Sequence, residues 1–159
     1  MKRNIFIDFA YLITLAATLG AVVVLGAIAA PVIFHAQDIL NGAALDSYNA
    51  GIVMAEIFRR FSYWIYFLAF FIAAYEMVMY KNGQRDAIIF ASSATALFSA
   101  LMFSAVYSPK IISMQGLGAE ATQSDTFRNI HFASELDFKI LATALLVLFI
   151  RRLMLLKLS

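Results

Sequence analysis

The chain is 159 residues long, 63% hydrophobic and only 14% charged, with a mean hydropathy of +0.83. A soluble domain is about half apolar and about a quarter charged, so this composition excludes an ordinary water-soluble fold and points to lipid as solvent. The lack of cysteine excludes disulfides, thiolate metal sites and C-x-x-C-H haem attachment, and a net charge of +2 is too small to predict nucleic-acid binding.

Four apolar runs follow in chain order, and they predict an all-α, four-helix transmembrane bundle forming one domain over residues 1–159. The first, residues 9–34, holds no charged residue and exceeds the roughly 20 helical residues that span a bilayer. Lys2 and Arg3 before it and Ala27, Ala29 and Ala30 within it resemble a signal peptide, but a signal core is only about 7–15 residues, so the run is read as a retained span. Pro31 is expected to kink or end it. The second span covers residues 61–80, preceded by a helical section over residues 51–60 in which Glu56 and Arg60 sit at the supportive i,i+4 spacing. Asn82-Gly83 marks a tight turn into the third span, residues 87–109. The fourth, residues 131–150, is the least apolar: only residues 140–150 are free of charge, so it borrows length from what precedes it. Thr122-Gln123-Ser124-Asp125 is read as a loose capping box opening that helix outside the membrane.

Four spans place both termini on one side, with seven Lys and Arg residues there against five on the other. The positive-inside rule then puts the termini in the cytoplasm and the connections at residues 35–60 and 110–130 outside.

On the fourth span Arg128, His131, Glu135 and Lys139 share one stripe at about 100° per residue, with Asp137 opposite. Ionisable residues at membrane depth are costly, so this stripe is the first place to look for a site; the alternative is an i,i+4 pair reaching outward. The chain's two histidines each precede a carboxylate at helical spacing, which makes His35, Asp38, His131 and Glu135 candidate metal ligands, or the two imidazoles candidate axial haem ligands. Neither cofactor is strongly indicated. The aromatic group Phe61, Tyr63, Trp64, Tyr66, Phe67, Phe70 and Phe71 reads as membrane anchoring and packing. Small residues at Ser92, Ala96, Ala100 and Ser104, at Ala16 and Gly20, and at Gly26 and Ala30, permit close helix approach within the bundle or in a homo-oligomer.

Two segments, Ala30-Pro31-Val32-Ile33-Phe34 and Phe127-Arg128-Asn129-Ile130-His131-Phe132-Ala133-Ser134, resemble a bacterial four-helix membrane family of the domain-of-unknown-function 4149 type. That family is itself similar to eukaryotic transmembrane-protein-205-like proteins. Ile130 stands where the family's pattern has leucine. The resemblance implies a bacterial inner-membrane location and marks His131 and Ser134, and it supplies no reaction.

Two functional expectations stand side by side. One is a small non-enzymatic membrane protein that packs, assembles or supports partners in the lipid bilayer, whether copies of itself or other membrane proteins. The other binds or transports an ion, metal or haem through an outward polar pocket of Arg128, His131, Ser134, Glu135 and Lys139.

Overall fold

The computed structural model describes residues 5–39 and 45–157, and every regular element among them is helical. Four long helices carry the fold: α1, Ile5–Phe34; α3, Ser47–Lys81; α4, Ala87–Gln115; and α6, Asp125–Lys157. Two short ones, α2 (Ala36–Ile39) and α5 (Ala119–Thr122), lie in the connections. Helices α1, α3 and α4 are long and apolar enough to cross a membrane. Helix α6 is long enough but interrupted by Glu135, Asp137 and Lys139 on one side of its apolar run and by Arg151 and Arg152 on the other.

The ends of the helices follow local chemistry. The Asp46 side chain accepts from Asn49 N at 2.7 Å and opens α3, which begins well before residue 61 and runs unbroken through residues 51–60. Glu56 there pairs with Arg60, as its spacing predicts, and also with Arg59. At the far end Gly83 takes φ +88°, a conformation glycine adopts without steric cost. Gly83 N bonds Tyr80 O and Gln84 N bonds Met79 O, both at 3.1 Å, which closes the last turn as a Schellman motif. Helix α6 corrects the capping expectation. Ser124 caps it, accepting from Phe127 N at 3.2 Å, whereas the Thr122 hydroxyl donates back to Ala119 O. The connection before α6 is also shorter than expected, because α4 continues past Pro109 to Gln115.

Both prolines sit just beyond a widened turn. Residues Leu25–Ala29 and Met102–Tyr107 are π-helical, with Ala30 N bonded to Leu25 O and Ser108 N to Phe103 O. A proline in a helix lacks one donor and crowds the carbonyl four residues back, and the wider turn relieves that crowding. Pro31 therefore neither ends nor breaks α1, which continues to Phe34, where the His35 N–H bonds Pro31 O.

The core lies between α1, α3, α4 and α6. Leu15, Ile65, Leu68, Ile72, Leu141, Leu145 and Leu148 are fully enclosed. Helix α4 meets α6 along its small residues Ala96 and Ala100, and the whole Ser92–Ala96–Ala100–Ser104 stripe is buried inside the chain. Ala16 and Gly20, by contrast, face outward. Outside, large apolar side chains are left bare: Phe70 is 74% exposed, Phe90 69% and Phe98 66%. An outer surface of this kind suits lipid, not water. Most of the aromatic group on α3 lies there, although Trp64 Nε1 donates to Thr18 Oγ1 and Tyr66 OH to Ser104 O, both tying α3 to its neighbours.

Asp86 joins the hairpin to α6. One carboxylate oxygen accepts from Ile88 N and Ile89 N at 3.0 Å, capping α4, while the other takes two bonds from Arg151. The Arg151 hydrogen bonds, helped by the backbone donors, hold this carboxyl below the usual carboxylate range. A lowered folded-state pKa stabilises the fold above the unfolded value of about 3.9, and that contribution is lost as pH falls through the folded pKa. Asp86→Ala is expected to cost about 1–2 kcal/mol at neutral pH. Asp86→Asn, which keeps a capping oxygen, is expected to cost less. Melting curves against pH should show both differences shrinking in acid; a difference that grows in acid would refute the pairing.

Candidate functional site

Two polar regions occupy opposite ends of the bundle. At the end where α1 begins and α6 finishes, side chains remote in sequence converge. Tyr75 OH donates to Asp8 Oδ1 at 2.6 Å, and Tyr11 OH donates to Glu76 Oε1 at 2.8 Å. The two tyrosine rings stack 3.8 Å apart. Arg152 reaches Glu76 with Nε at 3.0 Å and with Nη2, gives Nη1 to Gln84 Oε1 at 2.7 Å, and lies over the Tyr75 ring. Asp8 is 1% exposed and Arg152 4%. Helix α1 supplies Asp8 and Tyr11, α3 supplies Tyr75 and Glu76, and α6 supplies Arg152, so this clasp fixes the relative positions of the three helices. Arg151 and Arg152 both turn back to carboxylates, Arg151 to Asp86 and Arg152 to Glu76.

At the other end, where the long connections lie, the helices separate around a cavity of about 700 Å³. Helix α1 contributes Val22, Gly26, Ala27 and Ala30; α3 contributes Tyr48, Gly51, Met54 and Phe58. Helix α4 adds Phe103, Ser108, Ile111 and Gln115, and α6 adds His131, Ser134, Glu135, Phe138 and Lys139. The two π-turns thus both front the cavity, through Gly26 and Ala27 on α1 and Phe103 on α4. The rings of Phe58, Phe103 and Phe138 touch pairwise at 4.7–5.4 Å and close it toward the middle of the bundle. At its other limit Tyr48 OH donates to Gln115 O at 2.8 Å, linking α3 to the end of α4.

The structure divides the candidate residues read from sequence. His131, Ser134, Glu135 and Lys139 all line the cavity. Ser134 is buried, with its hydroxyl on His131 O at 2.7 Å. Glu135 lies 3.8 Å from both His131 Nε2 and Lys139 Nζ, so the stripe is a chain of mutually compensating, half-exposed charges. Arg128 does not line the cavity and pairs with Asp125 one turn back. The four candidate metal ligands do not assemble. His35 and Asp38 are absent from the cavity wall, and the His35 ring uses Nδ1 on Pro31 O at 2.8 Å. Among the described residues no three His, Asp or Glu side chains are grouped to hold a metal ion. The haem expectation meets the same obstacle, since only one of the two imidazoles faces the cavity.

Asp137, opposite the stripe, is 8% exposed and faces α4, where Ser99 is its hydrogen-bonding neighbour; its Oδ2 has no partner among the described residues.

Sequence reasoning missed the α1, α3 and α4 walls and the whole Asp8–Tyr11–Tyr75–Glu76–Arg152 clasp. The walls consist largely of glycine, alanine, serine and phenylalanine, residues common in any span. Pro31 and Pro109 were the available signal, since each marks a helical turn that must widen or break.

The fold is thus that of a membrane-type helical bundle, apolar outside, with a charged clasp at one end and a cavity at the other. The profile of the family described as a domain of unknown function, DUF4149, matches residues 13–120, more than half of the chain, and the chain belongs to that family. The match covers the Ala30–Phe34 motif and stops before α6. No curated protein and no solved structure matches the chain.

Proposed function

We propose that this protein is a four-span membrane protein that holds a small amphipathic molecule in the cavity between its helices. The observation that carries this reading is the cavity itself, about 700 Å³ within the size range of small-molecule sites and fronted by both π-turns. Turns of this kind cost helical hydrogen-bond geometry and recur where a helix must make room for function. Its inner wall is aromatic and aliphatic, and its polar groups are few, which suits a molecule with an apolar body and one polar end. Helix α6 would be the fourth span, with its terminal arginines neutralised by Glu76 and Asp86. The Lys and Arg count supports a clasp facing the cytoplasm of a bacterial cell and a cavity toward the outer face. The role proposed is binding, and the Ser134 hydroxyl, given to the His131 backbone carbonyl, serves its own helix.

Gly26 supplies the test. A Cβ placed there would lie 3.7 Å from the Phe138 ring, an ordinary contact, so Gly26→Ala is expected to fold and bind as the parent does. Gly26→Trp would occupy the cavity. With a photoreactive long-chain alcohol added to the detergent-purified protein, labelling of peptides containing Phe103 and Phe138 should be kept in Gly26→Ala and lost in Gly26→Trp. Undiminished labelling in a folded Gly26→Trp protein would overturn the reading.

A further inference from the structure

The cavity's polar end has a chemical preference. Three of its lining side chains are both polar and at least nine-tenths buried: Ser108 at 6% exposure, Gln115 at 7% and Ser134 at 5%. Ser134 is already engaged with its own helix. The Gln115 carboxamide and the Ser108 hydroxyl have no hydrogen-bond partner among the described residues, although the Gln115 backbone carbonyl is taken by Tyr48. Ser108 and Gln115 lie two turns apart on one face of α4, with Ile111 between them, and all three residues face the cavity. Gln115 Nε2 lies across α3 at Gly51, 3.1 Å from where a Cβ would stand, so the absence of a side chain at Gly51 makes room for the carboxamide.

An amide and a hydroxyl that line a cavity with no partner among the described residues are open to a bound polar group, which would satisfy them. We infer that the cavity selects amphiphiles with an uncharged hydrogen-bonding head group, a hydroxyl or carboxamide, and that Gln115 reads that head with Ser108 beside it. This inference rests on the cavity being a binding site. A carboxamide offers donors and an acceptor together, which matches a group that both gives and takes hydrogen bonds. A phosphate or ammonium head would find no free counter-charge. Glu135 lies between His131 and Lys139 and is shared with them, and the buried groups are all neutral. Placing an unpaired charge among them would cost more than one neutral hydrogen bond returns.

The experiment uses the full chain in detergent and photoreactive probes sharing one long alkyl chain. They end in a hydroxyl, a carboxamide, a phosphate, a trimethylammonium group or nothing. The parent protein should label best with the hydroxyl and carboxamide probes. Gln115→Leu should lower labelling by those two about five- to tenfold, the equivalent of one hydrogen bond, and leave the headless probe unchanged. Gln115→Glu, nearly the same size, should shift preference toward trimethylammonium. If Gln115→Leu leaves hydroxyl-probe labelling unchanged, or if the parent prefers phosphate or ammonium heads, the head-group assignment fails while the cavity reading stands. If no probe, headless included, labels the Phe103 and Phe138 peptides, both fall together.

Discussion

Replacing Arg152 with leucine is expected to destabilise the protein by about 3–5 kcal/mol, the cost of leaving a buried carboxylate without its partner. The side chain is enclosed and makes three kinds of contact at once: two bonds to Glu76, one to Gln84, and the face of Tyr75. Its removal strands Glu76, whose remaining hydrogen-bond partner among the described residues is the Tyr11 hydroxyl. Arg152→Lys keeps the charge but not the two-pronged geometry, and should fall between. Removing both charges as Glu76→Leu with Arg152→Leu should recover most of the loss, because the penalty lies in the unpaired ion more than in the missing pair. Unfolding in mixed micelles with increasing SDS gives all three differences from the parent. A single-variant loss below about 1 kcal/mol would place Arg152 among ordinary surface ion pairs.

The second large effect has the opposite sign. Asp137→Leu is expected to stabilise the fold by about 1–3 kcal/mol, with Asp137→Asn in between. No charged residue stands on α1 over residues 9–34, on α3 over 61–75 or on α4 over 87–109, so the helices packed around this carboxyl offer it no counter-ion. Ser99 would lose a partner, but a helical serine can turn its hydroxyl to its own backbone, as Ser92 and Ser93 do. The same SDS titration decides the matter, and a destabilised Asp137→Leu protein would mean that the carboxyl holds the bundle together.

Much of the architecture was readable because lipid is a strict solvent: a run without charge from residue 9 to 34 has few alternatives to a span. The Asn82-Gly83 turn and the Glu56–Arg60 pair were equally legible, being local. Helix α6 was flagged by its charges, and three of the four stripe residues, His131, Glu135 and Lys139, line the cavity, as does Ser134, which the resemblance marked. The clasp was not legible. Tyr75 and Asp8 are 67 positions apart, and only knowing which helix ends meet turns two residues near a membrane boundary into a hydrogen-bonded pair. Gln115 was hidden for a related reason. Sequence placed it in a loop beyond Pro109, where a glutamine is solvated and unremarked, whereas the widened turn before that proline lets the helix carry it inward.

A π-turn is an α-helix holding one residue more than its pitch requires. Each such surplus residue turns everything that follows it by roughly 100° about the helix axis. The Tyr11–Leu15–Thr18–Val22 face of α1 is sealed against its neighbours, yet for more than a turn past residue 25 α1 presents Gly26, Ala27 and Ala30 to the space where a core would continue. Helix α4 makes the same change of phase at the same level. The hollow can therefore be viewed as two single-residue insertions, and deleting one residue from each turn would be the shortest path from this bundle back to a solid one.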